Sequence, residues 1–296
     1  MPDTVKQNVQ WFPGHMAKTR RNIKESLPLV DGIIELRDAR VPVSSTNPEL
    51  NGIIRNKPKI ILLNKADLAD EKTTSAWISF YAKKGVTAVA VDCKTGRGIN
   101  ELLSAVKTVL EDKINSNARK GMAGKALRLM VVGIPNTGKS SFINRLANGG
   151  KAKSEDRAGV TRHLQWYTCR AGLELLDTPG VLWPKFEDPE VGCRLAFTGG
   201  IKDDVLDTET LAAKLLEVLS RDYPELLTAR YKISGFEQAQ SYELLEMIAK
   251  KRGMLVRGGE ADTERCAVML LDELRAGKLG RISFENPLSD GERNEL

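Results

Sequence analysis

Between Gly133 and Ser140 the chain reads GIPNTGKS, the Gly-x-x-x-x-Gly-Lys-Ser spacing of a Walker A loop. Glycines at these positions let the backbone curl so that its N–H groups face phosphate oxygens. The helix that follows brings its positive dipole end to the same anion. Pro135, Asn136, Thr137, Gly138, Lys139, Ser140 and Ser141 are therefore the expected phosphate-side residues. Lys139 is placed to reach the β- and γ-phosphates and to stabilise charge during transfer, and Ser140 to offer its hydroxyl to Mg²⁺.

A phosphate loop does not name the base. Asn64-Lys65-Ala66-Asp67 does: a carboxylate held at a strand end accepts from both N1–H and the 2-amino group of guanine, whereas adenine lacks that pair of donors. Asp177-x-x-Gly180 adds a carboxylate for the Mg²⁺ shell, through water, and a glycine N–H for the γ-phosphate. Thr161 lies in a polar loop between the two, where its hydroxyl would join the metal shell only while the γ-phosphate is present. Together these residues predict a site for GTP and GDP.

These groups need elements to hold them. Residues 31–37, 59–63 and 87–91 read as short buried strands, and the last runs into Asp92-Cys93-Lys94 and a helix near 99–110. Residues 113–126 are polar, basic and glycine-containing without an apolar period, and read as a linker. The Walker strand and its helix follow, then strands near 164–169 and 173–176. Strands alternating with helices predict an α/β fold with a mostly parallel sheet. Beyond Trp183-Pro184, residues 211–219, 242–250 and 264–274 have helical apolar spacing without a convincing strand. The expected domains are 1–185 and a small all-α domain at 186–296, frayed after about residue 286.

Composition narrows the setting. The 296 residues carry a formal charge of +6, with basic clusters on the first helix (Lys18, Arg20, Arg21, Lys24) and at Lys250, Lys251, Arg252 and Arg257. Such clusters suit a polyanion or simply a solvated face. Four scattered cysteines and two histidines argue against a zinc site or a disulfide framework and for a reducing cytoplasm. No apolar run reaches the roughly 18 residues of a membrane span, so no membrane association is expected.

The order of the motifs is unusual. Asn64 and Asp67 precede Gly133, whereas an ordinary small GTPase places its phosphate loop first. Both sets still meet at one nucleotide if the connectivity is cyclically shifted and the old termini are joined through 113–126. WFPGHMAK at 11–18, DARVP at 38–42, NKAD at 64–67, GIPNTGKS at 133–140, GVT at 159–161 and DTPG at 177–180 together resemble the circularly permuted GTPases of ribosome assembly, most closely the bacterial ribosome biogenesis GTPase A group. One departure is Asp92-Cys93-Lys94, where many GTPases carry Ser-Ala-Lys; the N–H of Cys93 remains a candidate contact to the base.

The resemblance implies a GTP-hydrolysing switch in late large-subunit maturation, acting as a monomer on a precursor of rRNA and ribosomal proteins. An RNA-binding scaffold with GTP or GDP as a structural ligand is the alternative. Val181 stands where many GTPases carry a water-orienting Gln, and valine has no hydrogen-bonding side-chain group. The resemblance points instead to His15 as the water-positioning group, with His163 a second candidate. Asn136 is the candidate K⁺ ligand of the phosphate loop.

Overall fold

The computed structural model describes residues 13–147, 164–183, 186, 188–201 and 207–290, with side chains from residue 17 onward. They form two compact units. One spans Gln10–Phe186 and takes back Ser283–Leu296; the other is Glu187–Ile282.

The first unit is built on six strands: β1 (Gly32–Asp38), β2 (Lys59–Asn64), β3 (Thr87–Ala90), β4 (Leu127–Val132), β5 (Gln165–Cys169) and β6 (Leu173–Asp177). Their order in the sheet is β3-β2-β1-β4-β6-β5, all parallel except β5 at the edge. Every residue of β1 is buried, as expected of a central parallel strand covered on both faces. From β1 the chain winds outward through β2 and β3; from β4 it winds the other way through β6. The β1–β4 boundary is thus a topological switch point, where the crevice beyond the strand ends receives ligands.

Helices cover both faces: α1 (Pro13–Ser26), α2 (Pro48–Ile54), α3 (Glu71–Lys83), α4 (Ile99–Val109), α5 (Glu111–Arg119) and α6 (Lys139–Leu146). One core joins Ile34, Leu36, Leu62 and Val131 to Leu102 and Val106 of α4 and Phe142 of α6. On the opposite face, Ile33, Met130 and Val132 pack with Ile23 of α1 and Leu50 and Ile54 of α2. Asn47 and Asp70 start α2 and α3 by accepting the N–H groups of Glu49 and Thr73, each a local N-cap.

Two expectations change. Residues 113–126 are not all linker, because α5 continues to Arg119: Ile114 extends the apolar stripe of Val106 and Leu110, and Asn117 is buried. The joint contracts to 120–126, where Gly121 and Gly124 take positive φ. The last segment does not fray at 286. Asn286 donates its N–H to Asp290 Oδ2 at the start of a further turn of helix at Pro287–Asp290, and described residues 283–290 are part of the first unit.

The second unit contains α7 (Pro189–Phe197), α8 (Thr208–Asp222), α9 (Pro224–Tyr231), α10 (Ser241–Lys251) and α11 (Thr263–Arg275). The expected helices correspond to α8, α10 and α11. Each runs longer than its apolar window, because Asp207 and Asp262 cap two of them and Glu243 accepts the Gln240 N–H at the third. Short α7 and α9 start on prolines and carry too few apolar turns to stand out in sequence.

Beneath α3, β1 buries charge. Arg37 contacts Glu35 Oε1 through Nε at 2.9 Å and Nη2 at 2.8 Å, and donates from Nη1 to the Tyr81 hydroxyl at 3.0 Å. Lys59 lies 3.2 Å from Glu35 Oε2. Burial pushes the Glu35 carboxyl up, but Arg37 and Lys59 outweigh it and hold it below its ordinary value. A depressed carboxylate stabilises the fold above the unfolded value of about 4.3, and this stabilisation is lost as pH falls through the folded one. Arg37→Met should therefore cost about 3 kcal/mol in urea unfolding at neutral pH, and its difference from wild type should narrow as pH falls through the folded Glu35 value; a difference that stays constant with pH would contradict this.

Candidate functional site

The loop after β4 is shaped by two glycines. A Cβ at Gly133 would lie 2.5 Å from the Leu36 carbonyl oxygen, and one at Gly138, where φ is +94°, would lie 2.2 Å from Asn64 Nδ2. Between them Asn136 also takes a left-handed φ of 59°. Thr137 is buried and donates its hydroxyl to the Ile134 carbonyl at 2.9 Å, beside buried Pro135. Lys139 is buried and donates from Nζ to the carbonyls of Gly133 at 2.9 Å and Ile134 at 2.7 Å, so the ammonium sits inside the ring of the loop. Burial pushes its pKa down to about 8, and the nearby Asp177 carboxylate works against that shift. Ser140 and Ser141 follow, half-buried, on the first turn of α6.

Asn64, at the end of β2, binds the other loops together. Its Nδ2 donates to the Thr137 carbonyl at 2.7 Å, and its Oδ1 accepts the Cys93 N–H at 3.3 Å. The Cys93 amide, offered to the base in the sequence reading, is thus tethered to Asn64. Asp92 is taken as well: its carboxylate accepts the Lys94 N–H at 2.8 Å and the Thr95 hydroxyl at 2.5 Å, which closes the loop after β3. Arg145 on α6 donates to the Cys93 carbonyl at 2.9 Å and fastens the same loop from the phosphate side.

Lys65 has a positive φ of 60°, and its Nζ lies 3.1 Å from Asp38 Oδ2 at the end of β1. Arg40 grips Asp38 through Nε at 2.9 Å and Nη2 at 2.8 Å. Burial pushes the Asp38 carboxyl up, but Arg40 and Lys65 hold it well below the usual range. Sequence reading left this network out, although Asp38 and Arg40, spaced for a bidentate pair in a loop at a strand end, were its visible trace. Ala66 donates its N–H to the Val91 carbonyl at 3.1 Å, which leaves Asp67 exposed at the mouth of the loop.

On the other side of β4, Asp177 is 1% exposed at the end of β6, and Thr178 donates its hydroxyl to the Val131 carbonyl at 2.7 Å. Gly180 lies against the phosphate loop. A Cβ there would be 2.9 Å from the backbone of Pro135 and 3.1 Å from Lys139 Nζ. Val181 turns away into the apolar cluster of Ile23, Leu50 and Met130, while its carbonyl accepts from Asn47 Nδ2 at 2.8 Å. Thr161 and His163 lie outside the described residues, and so does the side chain of His15, whose backbone belongs to the first turn of α1.

The donors fit a hard cation held jointly with a nucleotide. Ser140 and buried Asp177 present oxygen ligands on adjoining elements, and Mg²⁺ commonly takes one or two protein oxygens and completes its shell with phosphates and water. Among the described residues no cluster of three or more His, Cys, Asp or Glu exists that would hold a metal unaided. In the helical unit, Lys251 and Arg257 are exposed, whereas Lys250 pairs with Glu246 and Arg252 reaches Glu273 and lies over the Tyr231 ring.

Comparisons with known proteins agree with this geometry. A family profile described as 50S ribosome-binding GTPase matches residues 128–250, beginning at the phosphate-loop strand. The chain is 46% identical over 287 residues to Ribosome biogenesis GTPase A of Bacillus cereus, spanning 97% of each. It is 33% identical over 279 residues to the protein of that name from Thermotoga maritima, spanning 94% of this chain and 95% of the other. The solved GDP-bound structure of TM YlqF superposes with a TM-score of 0.66 at 30% identity, covering 90% of this chain and all of that one. The GNP-bound YlqF from T. maritima gives 0.61 at 31%, with 91% and 98% covered.

Gly180→Ala should weaken binding of a GTP analogue by about tenfold or more, since its methyl meets rigid backbone at Pro135 and the lysine ammonium. Wild-type affinity in a titration of the folded variant would show that the close approach is unimportant.

Proposed function

The chain belongs to the ribosome biogenesis GTPase A family, and from that premise we propose that it is a GTP-hydrolysing switch for late assembly of the large ribosomal subunit. In this reading it acts in the cytoplasm as a monomer, binds the precursor in its GTP state and leaves after hydrolysis. The observation that carries the reading is the placement of Val181. The residue after Asp177-x-x-Gly180 is 2% exposed and packed with Ile23 of α1. It therefore offers nothing to the attacking water, so the water must be oriented by another group, which in this reading is His15 acting once the subunit is bound.

The parts take the following roles. Asp67 reads the guanine edge, while Asn64 and Lys65 hold its loop against the phosphate loop and Asp38. Backbone amides of residues 135–141 and Lys139 hold the phosphates, and the bound polyanion would oppose the lowering of the buried ammonium's pKa. Ser140, Thr161 and Asp177, the last through water, would hold Mg²⁺; the ion when bound neutralises charge on the β- and γ-phosphates. Gly180 presents its N–H to the γ-phosphate from beside Lys139. His15 orients the water. What supports this role is that α1, which carries His15, is seated through Ile23 on the same cluster as Val181. The exposed Lys18, Arg21, Lys24, Lys251 and Arg257 meet rRNA phosphates. Asn136, held in its left-handed conformation, contributes to a K⁺ site that adds positive charge beside the phosphates.

Purified large subunits should raise the GTPase rate, and GTP analogues should tighten binding to them relative to GDP. No stimulation, together with nucleotide-independent binding, would favour a scaffold. His15→Ala should keep GTP affinity and lose about a hundredfold of the subunit-stimulated single-turnover rate. Equal rates in K⁺ and Na⁺ at matched ionic strength would remove the potassium role of Asn136.

A further inference from the structure

After Ile282, the last residue of the helical unit, the chain re-enters the α/β unit as a short strap, Ser283-Phe284-Glu285. Glu285 is 2% exposed. Its Oε2 accepts the Val43 N–H at 2.5 Å and its Oε1 the Ser44 N–H at 2.9 Å, with the Ser44 hydroxyl donating to Oε1 as well. Two successive amides and a hydroxyl closing on one carboxylate make a backbone anion nest filled by the chain itself.

The gripped turn is the one that sets the base-side network. Ser45, next in line, accepts the Asp38 N–H at 3.0 Å and donates to the Val41 carbonyl at 2.6 Å. Asp38 in turn holds Arg40 and Lys65. Phe284 donates its N–H to the Arg40 carbonyl at 2.8 Å. The strap also reaches the far side of the NKAD loop. Ser283 Oγ accepts the Asp70 N–H at 3.1 Å, and the Glu285 carbonyl accepts from Trp77 Nε1 at 3.1 Å. Lys65 and Asp70, on either side of Asp67, are thus both referred to the same three residues.

We propose that Glu285 is a positioning residue for guanine recognition: by holding the turn at residues 43–44 it fixes Asp38, hence Lys65, and so sets the grip of the Asn64–Asp67 loop on the base. The proposal rests on that loop being the base site. The hydrogen bonds Glu285 accepts from Val43, Ser44 and Trp77 all come from the base-side turn and α3, so its loss should register as base affinity and base selectivity rather than as rate in the saturated protein.

The test uses the full chain with Glu285→Gln, Glu285→Asp and Ser44→Ala. The readouts are release of a fluorescent GDP analogue, affinity for GDP against IDP, which lacks the 2-amino group, and KM and kcat for GTP. Glu285→Gln puts an amide NH₂ against backbone donors. It should release GDP about tenfold faster and lose a comparable part of the GDP-over-IDP preference, with KM raised and kcat within about twofold. Glu285→Asp and Ser44→Ala should give smaller shifts in the same direction. Unchanged release overturns the proposal; so does equal weakening of GDP and IDP with a fall in kcat, the mark of general loosening. Should Glu285→Gln fail to fold, wild-type preference in the two milder variants overturns it. A wild type that does not prefer GDP to IDP would instead sink the base-site reading itself.

Discussion

The Asn64 carboxamide joins two loops that lie far apart in sequence, donating to the Thr137 carbonyl and accepting from the Cys93 amide. A cyclically shifted chain puts its base-reading and phosphate-holding halves on opposite sides of a joint, so their registration cannot come from local connectivity. It comes from the sheet and from this side chain. The sheet places β1 beside β4, which brings the strand ends together to within a side chain's reach. Asn64 fixes the remaining freedom with two directional bonds in a buried setting, where a lost partner leaves an unsatisfied donor or acceptor worth about 1–3 kcal/mol. Gly138 follows from the same constraint. Any side chain there would displace Asn64 Nδ2, so the glycine that opens α6 is demanded as much by the base side as by the phosphate.

The residues that read as ligands divide into those that face the crevice and those that build it. Lys139, Ser140, Asp177 and Gly180 converge beside the phosphate loop, and Asp67 stays exposed. Asn64, Asp92 and Cys93 take part in building it: Asn64 and Cys93 bond to each other across loops, Asn64 reaches Thr137, and Asp92 closes its own loop. A loop made only of ligand-facing groups would lose its shape when empty. Here the Asp92 turn and the Arg145 tether fasten the β3 loop to groups of the protein itself.

Much of this was legible in sequence because the strands are short apolar runs ending in motif residues, and spacing alone locates such motifs. Periodicity likewise revealed α4, α8, α10 and α11. It missed α2 and α3, whose signals are the caps Asn47 and Asp70 rather than an apolar stripe. It truncated α5, because Ile114 is the only large apolar residue of that helix and its value comes from packing on α4 and the sheet. The Lys65 end of the Asp38–Arg40–Lys65 network and the Glu285 strap were not legible for a different reason. Both depend on contacts across dozens to hundreds of residues, and a lone glutamate near the end of a polar tail carries no local sign of burial. Glu285 stands just ahead of the segment after 286 that was read as frayed, and its carboxylate satisfies the amides of the turn it binds.

The connectivity has a thermodynamic consequence. The helical unit leaves the α/β unit just after the segment that follows Gly180 and returns just before Glu285, so its two covalent ends arise beside the phosphate-side and base-side loops respectively. Near its departure, Val181 is held by Asn47 and by the α1 cluster; on return, the strap is held by Val43 and Ser44. Asn47 and Ser44 belong to one short stretch after β1, so both attachments bear on the same loop. If a bound phosphate changes the first attachment, any partner that prefers one arrangement of the helical unit must change phosphate affinity by the same factor, because linkage between binding events is reciprocal. The same holds for base affinity through the second attachment. A chain threaded in the ordinary order would leave its G domain after the base-side strands and would have only one such attachment. The permutation creates the second by placing a whole folded unit between the DTPG segment and the strap.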